Sequence, residues 1–194
     1  MKLRLTEIAQ QRVADALSEG DFAIDATAGN GHDTAFLAAR VGGRGRVFAF
    51  DVQPEAIAAT EARLSETGLQ NATLFQKSHA DLKTVLPPDL CGHVAAVMFN
   101  LGYLPGGDHA VVTETGSTLA AIDAALLVLR GSGVLTILAY PGHAGGDTET
   151  TAVARHLDRL APDAYSVERI DGQSGRNASP ILFVVTKRES GSPE

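Results

Sequence analysis

A short apolar run that leads into two closely spaced glycines constrains the fold of this chain more than any other feature. Phe22-Ala23-Ile24 is typical of a buried strand, and Asp25-Ala26-Thr27-Ala28-Gly29-Asn30-Gly31 follows it. Glycine lacks a Cβ atom, so the backbone there can turn tightly and approach a ligand. We expect a helix to begin between Gly31 and Asp33, where its unpaired N–H groups favour an anionic group. The pattern therefore predicts a strand, a ligand-binding loop and a helix.

A second strand is predicted at 44–50, and Asp51 stands at its carboxyl end. An acidic residue about twenty positions after a glycine turn can accept hydrogen bonds from ribose hydroxyls. The dinucleotide fingerprint G-x-G-x-x-G needs a third small residue, and Thr34 stands in that place. The sequence thus favours S-adenosylmethionine over a nicotinamide dinucleotide. A purely structural glycine turn is the third interpretation.

The remaining pattern alternates between strand and helix, which predicts an α/β fold. The predicted helices are 5–17, 34–41, 54 to the terminator Gly68, 80–86, 113–129 and 149–160. The predicted strands are 22–24, 44–50, 72–76, 94–99, 134–139, 165–170 and 181–186. We expect one domain over 1–188, with 1–20 as a leading helix and 189–194 as a flexible tail. Its seven-stranded sheet should be mostly parallel, with an antiparallel C-terminal hairpin and helices on both faces.

Composition narrows the class of protein further. A chain of 194 residues that is 44% hydrophobic suits a single packed domain, and its one cysteine, Cys91, excludes an intramolecular disulfide. The net charge of −7 argues against a broad nucleic-acid surface, so any RNA contact should be local or shared between subunits. With no predicted signal or membrane segment, we expect a cytoplasmic protein. The histidines show no zinc-type spacing, so no metal site is predicted.

Several loops should meet at the carboxyl edge of the sheet, where ligands of open parallel sheets bind. One of them carries Asn100-Leu101-Gly102-Tyr103, which is similar to the Asn/Asp-Pro-Pro-Tyr/Phe sequence of amino methyltransferases in its first and fourth residues. An asparagine oxygen can accept the hydrogens of an amine and so direct its lone pair toward a methyl group. Tyr103 can stack on a base. This loop therefore predicts an acceptor site for an amine.

Four blocks of sequence resemble the small rRNA methylase family, which is linked to tRNA wobble-uridine methylation. The blocks are 25–34, Ser78-His79, 99–108 and 140–146, and the resemblance extends from Asp21 to Lys187. It implies a Rossmann-like class I methyltransferase fold that uses S-adenosylmethionine. It further implies N-methylation of the aminomethyl group of 5-aminomethyl-2-thiouridine in tRNA, and a homodimer. No DNA or membrane partner is expected.

The resemblance also implies roles for individual residues. Asn100 and Tyr103 would face the acceptor as catalytic residues. Gly29 to Gly31 would line the cofactor, Asp51 would hold the ribose, and Ser78 and His79 would flank the adenine. The expected cofactor-binding residues are Asp25, Thr27, Ala28, Gly29, Asn30, Gly31, Asp33, Thr34, Asp51, Val52, Gln53, Ser78, His79 and Asn100. The expected substrate-binding residues are Leu101, Gly102, Pro105, Gly106, His143 and Gly145.

Some of these residues also have a purely structural interpretation. His79 can be a satisfied loop histidine, Asp33 can stabilise the first turn of a helix, and the segment around His143 can be a turn before a helix capped by Glu149. The predicted reaction is a direct displacement by a neutral amine. Another RNA nucleotide or a small amine metabolite is the alternative substrate. A cofactor-binding protein without turnover is the alternative from another class.

Overall fold

A computed structural model gives the fold and describes residues 3–102, 113–142, 145–172 and 179–189. The helices are α1 Leu5–Ala16, α2 His32–Val41, α3 Pro54–Glu66, α4 Leu82–Val85, α5 Thr115–Val128 and α6 Gly146–Leu157. The strands are β1 Phe22–Asp25, β2 Arg46–Asp51, β3 Ala72–Gln76, β4 Val94–Asn100, β5 Leu129–Ala139, β6 Tyr165–Asp171 and β7 Ile181–Lys187. Short 3-10 turns lie at His79–Asp81 and Pro88–Leu90. Apart from residue 189, the predicted tail lies outside the described residues.

The strands form one seven-stranded sheet in the order β3-β2-β1-β4-β5-β7-β6. The first five strands in that order run parallel, while β7 is antiparallel to both β5 and β6. This confirms the predicted mostly parallel sheet with an antiparallel C-terminal pair. The chain order changes direction between β1 and β4, so a crevice opens beyond the carboxyl ends of these two strands.

Helices cover both faces of the sheet. On one face α1, α2 and α3 bury apolar side chains such as Val13, Leu37 and Leu64. On the other face α4, α5 and α6 bury side chains such as Leu82 and Ile122. Strand β4 lies between these layers and is buried from Val94 to Phe99, which explains its uninterrupted apolar sequence.

Two element boundaries were predicted wrongly. Strand β5 begins at Leu129, and the predicted turn 131–133 is an irregular stretch within it, where Ser132 has a φ of 59°. The pairing with β4 shifts at this stretch, and a Cβ on Gly133 would lie only 2.9 Å from the carbonyl oxygen of Arg130. Helix α6 begins at Gly146 because Gly145 adopts a φ of 84° and accepts the N–H of Glu149, which closes the first turn early.

No helix within the described ranges combines the length and the apolar character needed to cross a membrane.

Candidate active site

The glycine loop after β1 is held from the side by α3. The hydroxyl of Thr60 donates to the carbonyl oxygen of Gly29 at 3.2 Å, and Nε of Arg63 donates to that of Asn30 at 2.7 Å. Gly31 has a φ of 75°, and a Cβ there would lie 2.7 Å from the Cα of Thr60. The second glycine is therefore required because the loop packs directly against α3. A loop fixed in this way can present its backbone to a ligand without rearranging.

Asp51 ties the end of β2 to the same loop. One carboxylate oxygen accepts the N–H of Gly29 at 2.9 Å, and the other accepts the N–H of Gln53 at 3.0 Å. Each oxygen has a further lone pair, so the carboxylate can still accept hydrogen bonds from a pair of ligand hydroxyls. Asp51 is only partly buried. Its position beside the loop fits a group that recognises a ribose.

Asp25 lies beneath the loop and is 1% exposed. Its carboxylate accepts the hydroxyl of Thr34 at 2.6 Å and the N–H of Thr27 at 3.1 Å. Burial, as the largest cause, and the negative charges of Asp33 and Asp51 together raise the pKa of Asp25 to about 7, although the two hydrogen bonds oppose the shift. Three carboxylates thus surround the loop, and an added positive charge would relieve their mutual repulsion.

Asn100, the last residue of β4, is the centre of a chain of side-chain hydrogen bonds. Its backbone N–H donates to the hydroxyl of Thr27 at 2.7 Å, and its side-chain nitrogen donates to one oxygen of Asp33. The other oxygen of Asp33 accepts the amide of Gln10 in α1 at 2.8 Å. An ionised carboxylate only accepts hydrogen bonds, so the nitrogen of the Asn100 amide must face Asp33. The amide oxygen of Asn100 is thereby directed away from Asp33.

His79 is a buried histidine that packs beside the glycine loop. Its ring is hydrogen-bonded to the backbone of Ala26 and lies edge-on to Phe99, with ring centroids 5.7 Å apart. Burial lowers the pKa of His79, while the bond to Ala26 and the charges of Glu149 and Asp51 oppose the shift. The neutral imidazole is therefore favoured. Among the described residues, Nε2 of His79 has no hydrogen-bond partner.

Tyr140 follows β5 and is 39% exposed at the same edge of the sheet. Burial of the phenol raises the pKa of Tyr140, and the charge of Asp33 raises it further. The hydroxyl therefore stays protonated at neutral pH and can donate a hydrogen bond. Tyr140 adds a partly exposed aromatic ring to the group around Asp33.

The structure brings together most of the predicted site residues. Hydrogen bonds link Thr27, Asp33 and Asn100 on one side of the loop, and Gly29, Asp51 and Gln53 on the other. Val52 is 52% exposed beside them, and Ser78 accepts the N–H of Ala80 at the start of the 3-10 turn. Predicted residues that lie outside the described ranges are Tyr103, Pro105, Gly106 and His143.

Other predicted residues have buried side chains that cannot face a ligand. Asp25, Ala28 and Thr34 shape the loop from beneath, and each is at most 4% exposed. Leu101 is 1% exposed and packs in the core, which argues against the predicted substrate contact through its side chain. These side chains act on the site by supporting its backbone. Gly102 and Gly145 each lie at the end of a loop, with a φ of 141° and 84°, respectively.

Sequence reasoning missed Gln10, Thr60, Arg63 and the role of Tyr140. Gln10 and Arg63 reach the loop from helices 23 and 33 residues away in sequence from their partners. Such long-range polar pairs leave no local pattern, since each residue looks like a solvated position on a helix. No group of three or more His, Cys, Asp or Glu side chains suited to a metal occurs in the part of the chain that the structure describes.

Similar proteins were found by sequence and by structure. The family described as "Putative rRNA methylase" matches residues 47–186. A curated relative from Arabidopsis thaliana, named tRNA (mnm(5)s(2)U34)-methyltransferase, chloroplastic, is 32% identical over 96% of this chain and 70% of its own length.

Two solved structures have closely similar folds. A "putative rRNA-methylase" from Clostridium thermocellum is 38% identical with a TM-score of 0.89, covering 96% of this chain and 98% of its own. A "putative methyltransferase" from Streptococcus mutans, solved in complex with SAH, is 31% identical with a TM-score of 0.85, covering 96% and 99%. The fold is therefore that of a Rossmann-like methyltransferase, as the sequence predicted, and the chain belongs to the family described as "Putative rRNA methylase".

Proposed function

We propose that this protein methylates the aminomethyl nitrogen of 5-aminomethyl-2-thiouridine at the tRNA wobble position, with S-adenosylmethionine as the methyl donor. The product is 5-methylaminomethyl-2-thiouridine. The observation that carries the proposal is the orientation of Asn100, whose amide nitrogen is held by Asp33 beside the glycine loop. The name of the Arabidopsis relative supports the choice of substrate.

The residues of the loop fit the proposed cofactor. Asp51 has free lone pairs for ribose hydroxyls, and Val52 offers an exposed apolar surface next to it. Asp25, Asp33 and Asp51 concentrate negative charge around the loop, which favours a cationic ligand. When bound, S-adenosylmethionine supplies an electrophilic methyl group on a positively charged sulfur. The SAH complex of the Streptococcus mutans protein, which shares the fold, supports this cofactor.

Asn100 aligns the attacking amine. Its amide oxygen can accept one N–H of the substrate, and this fixes the direction of the nitrogen lone pair. Because Asp33 holds the amide nitrogen, the side chain cannot flip and present its N–H groups to the amine. An alkyl amine has a reference pKa of about 10.4, so it must lose a proton before it can attack.

Charge stabilisation is the second contribution of the site. Positive charge develops on the amine nitrogen as its bond to the methyl carbon forms and the carbon–sulfur bond breaks. Asp33 accepts a hydrogen bond from the Asn100 amide. The negative charge of Asp33 polarises this amide and so stabilises the positive charge on the amine. Gln10 holds the other oxygen of Asp33 from α1 and so keeps the carboxylate in place. Stacking of the base on Tyr103 stays a prediction from the sequence, as do a cytoplasmic location and a homodimer.

The assignment is tested by labelling. The purified protein is incubated with S-adenosylmethionine labelled in the methyl group and with tRNA from a strain that lacks the terminal wobble methylation. The tRNA is then digested, and the labelled nucleoside is identified. We expect the label in 5-methylaminomethyl-2-thiouridine. Label in a different nucleoside, or only in a small amine metabolite added in parallel, would replace the proposed substrate.

A further inference from the structure

Glu149 is a buried charge that the proposed reaction does not use. It stands in the first turn of α6 and is 3% exposed. Its two carboxylate oxygens accept the hydroxyls of Thr113 at 2.6 Å and of Thr118 at 2.7 Å. Burying a carboxylate is costly unless it is hydrogen-bonded, so these two donors are what make the position tolerable.

Thr113 connects Glu149 to the loop that follows β4. Thr113 and Gly102 exchange two hydrogen bonds: the N–H of Gly102 donates to the Thr113 hydroxyl, and the N–H of Thr113 donates to the Gly102 carbonyl, each at 3.0 Å. These two residues flank the segment 103–112. The residues on either side of the segment are therefore joined, and this joint is bonded to α6 through Glu149.

The charge on Glu149 fixes the direction of these bonds. An ionised carboxylate only accepts, so the hydroxyl protons of Thr113 and Thr118 must both point toward it. With its proton directed at Glu149, the oxygen of Thr113 presents its lone pairs to the N–H of Gly102. A neutral glutamine would have one accepting oxygen and one donating nitrogen, and it would leave one of the two threonines wrongly paired.

From these contacts we infer that Glu149 is a positioning residue, which through Thr113 fixes Gly102 and so limits how far the nearby Asn100 can move. The inference rests on the proposed function, in which Asn100 receives the amine. Asn100 lies two residues before Gly102, so the same joint also limits movement of the catalytic amide.

A matched pair of variants separates positioning from stability. Thr113→Val and Thr118→Val each remove one hydroxyl from the same carboxylate, and only Thr113 touches the loop ends. We expect Thr113→Val to lower kcat/KM for the tRNA acceptor about ten-fold, equivalent to about 1.4 kcal/mol, with cofactor affinity changed less than about two-fold. Thr118→Val should keep the parent kcat/KM although its melting temperature falls. Thr113→Ser keeps a hydroxyl and should restore activity.

Amide hydrogen exchange in peptides covering 100–116 gives a readout that does not depend on the substrate. In these peptides, exchange at Gly102 and Thr113 should be faster than in the parent protein in Thr113→Val and in Glu149→Gln, and it should be parent-like in Thr118→Val. Equal effects of the two threonine variants on both kcat/KM and exchange would show that Glu149 has a purely structural role. If the parent protein methylates no tRNA, the proposed function fails, and the exchange comparison still decides whether Glu149 anchors Gly102 through Thr113.

Discussion

Asp25 and Glu149 are both almost inaccessible to solvent, yet their surroundings differ. Asp25 lies under the glycine loop near two further carboxylates, and its pKa is raised to about 7. Glu149 lies beside Thr113 and Thr118 and accepts a hydrogen bond from the hydroxyl of each. The cofactor side of the crevice thus holds an excess of negative charge, whereas the carboxylate on the acceptor side is already satisfied by the protein.

This difference indicates what each side of the crevice lacks. Repulsion among Asp25, Asp33 and Asp51 is relieved when a cation binds, so part of the stability of that region should come from its ligand. The acceptor side needs no added charge, because Glu149 uses its hydrogen bonds to hold the chain in position. We therefore expect substitutions on the cofactor side to change ligand affinity and pH dependence, and those on the acceptor side to change alignment.

The largest expected effect is on the chemical step. Asn100→Ala removes the amide that orients the amine, and we expect the single-turnover methylation rate to fall by about 100-fold or more at saturating cofactor. Asn71→Ala is the matched control, since Asn71 donates to the carbonyls of Ala38 and Gly42 far from the crevice. The control should lose thermal stability and keep the parent rate. A parent-like rate in Asn100→Ala would show that Asn100 takes no part in the methyl transfer.

Cofactor affinity should respond next most strongly. Two N–H groups converge on Asp51 from Gly29 and Gln53, and Asp51→Asn would turn an amide NH2 toward one of them. We expect the affinity for S-adenosylmethionine, measured by isothermal titration calorimetry, to fall by about 10- to 100-fold. Asp171→Asn, which changes an exposed carboxylate paired with Arg169, should leave it unchanged. Equal affinities in the two variants would contradict the role of Asp51.

The two sides also differ in how far the sequence could predict them. The glycine turn, Asp51 and the seven strands follow from local patterns of glycine, charge and apolar runs, and the sheet is confirmed. The pairs Gln10–Asp33 and Thr113–Glu149 join residues 23 and 36 positions apart, and neither pair has a periodic signal. Glu149 looked like a helix cap because acidic residues are common in a first turn, and its burial depends on how α6 packs against α5.

A smaller effect concerns pH. The pKa of Asp25 is 3.8 in the unfolded chain and about 7 in the folded protein, so between these values the unfolded state has lost a proton that the folded state keeps. Stability therefore falls as the pH rises through this window and levels off above it. The side chain in Asp25→Asn cannot ionise. From pH 5 to pH 8, the free energy of unfolding in urea should therefore fall less in Asp25→Asn than in the parent protein, and the difference should be on the order of 2 kcal/mol.

The control for this measurement is an exposed carboxylate. Asp171→Asn changes an exposed side chain that pairs with Arg169, which stays charged throughout this range, and it should keep the pH slope of the parent protein. If Asp25→Asn and Asp171→Asn have the same slope, Asp25 is ionised in the folded protein throughout this range, and its pKa is not raised.

The smallest effect compares the two carboxylates directly. Thr34→Val and Thr118→Val each remove a fully buried hydroxyl that donates to a buried carboxylate, at 2.6 Å to Asp25 and at 2.7 Å to Glu149. Each should lower the free energy of unfolding by roughly 1.5 kcal/mol, because each breaks a hydrogen bond to a carboxylate. The hydroxyl of Thr34 lowers the pKa of Asp25, so its loss should raise that pKa further. The loss of stability in Thr34→Val should therefore be larger at pH 8 than at pH 5.

Thr34→Val should also weaken cofactor binding, and Thr118→Val should not. If both variants weaken it equally, the two sides of the crevice are coupled through the sheet, and the separation drawn between them does not hold.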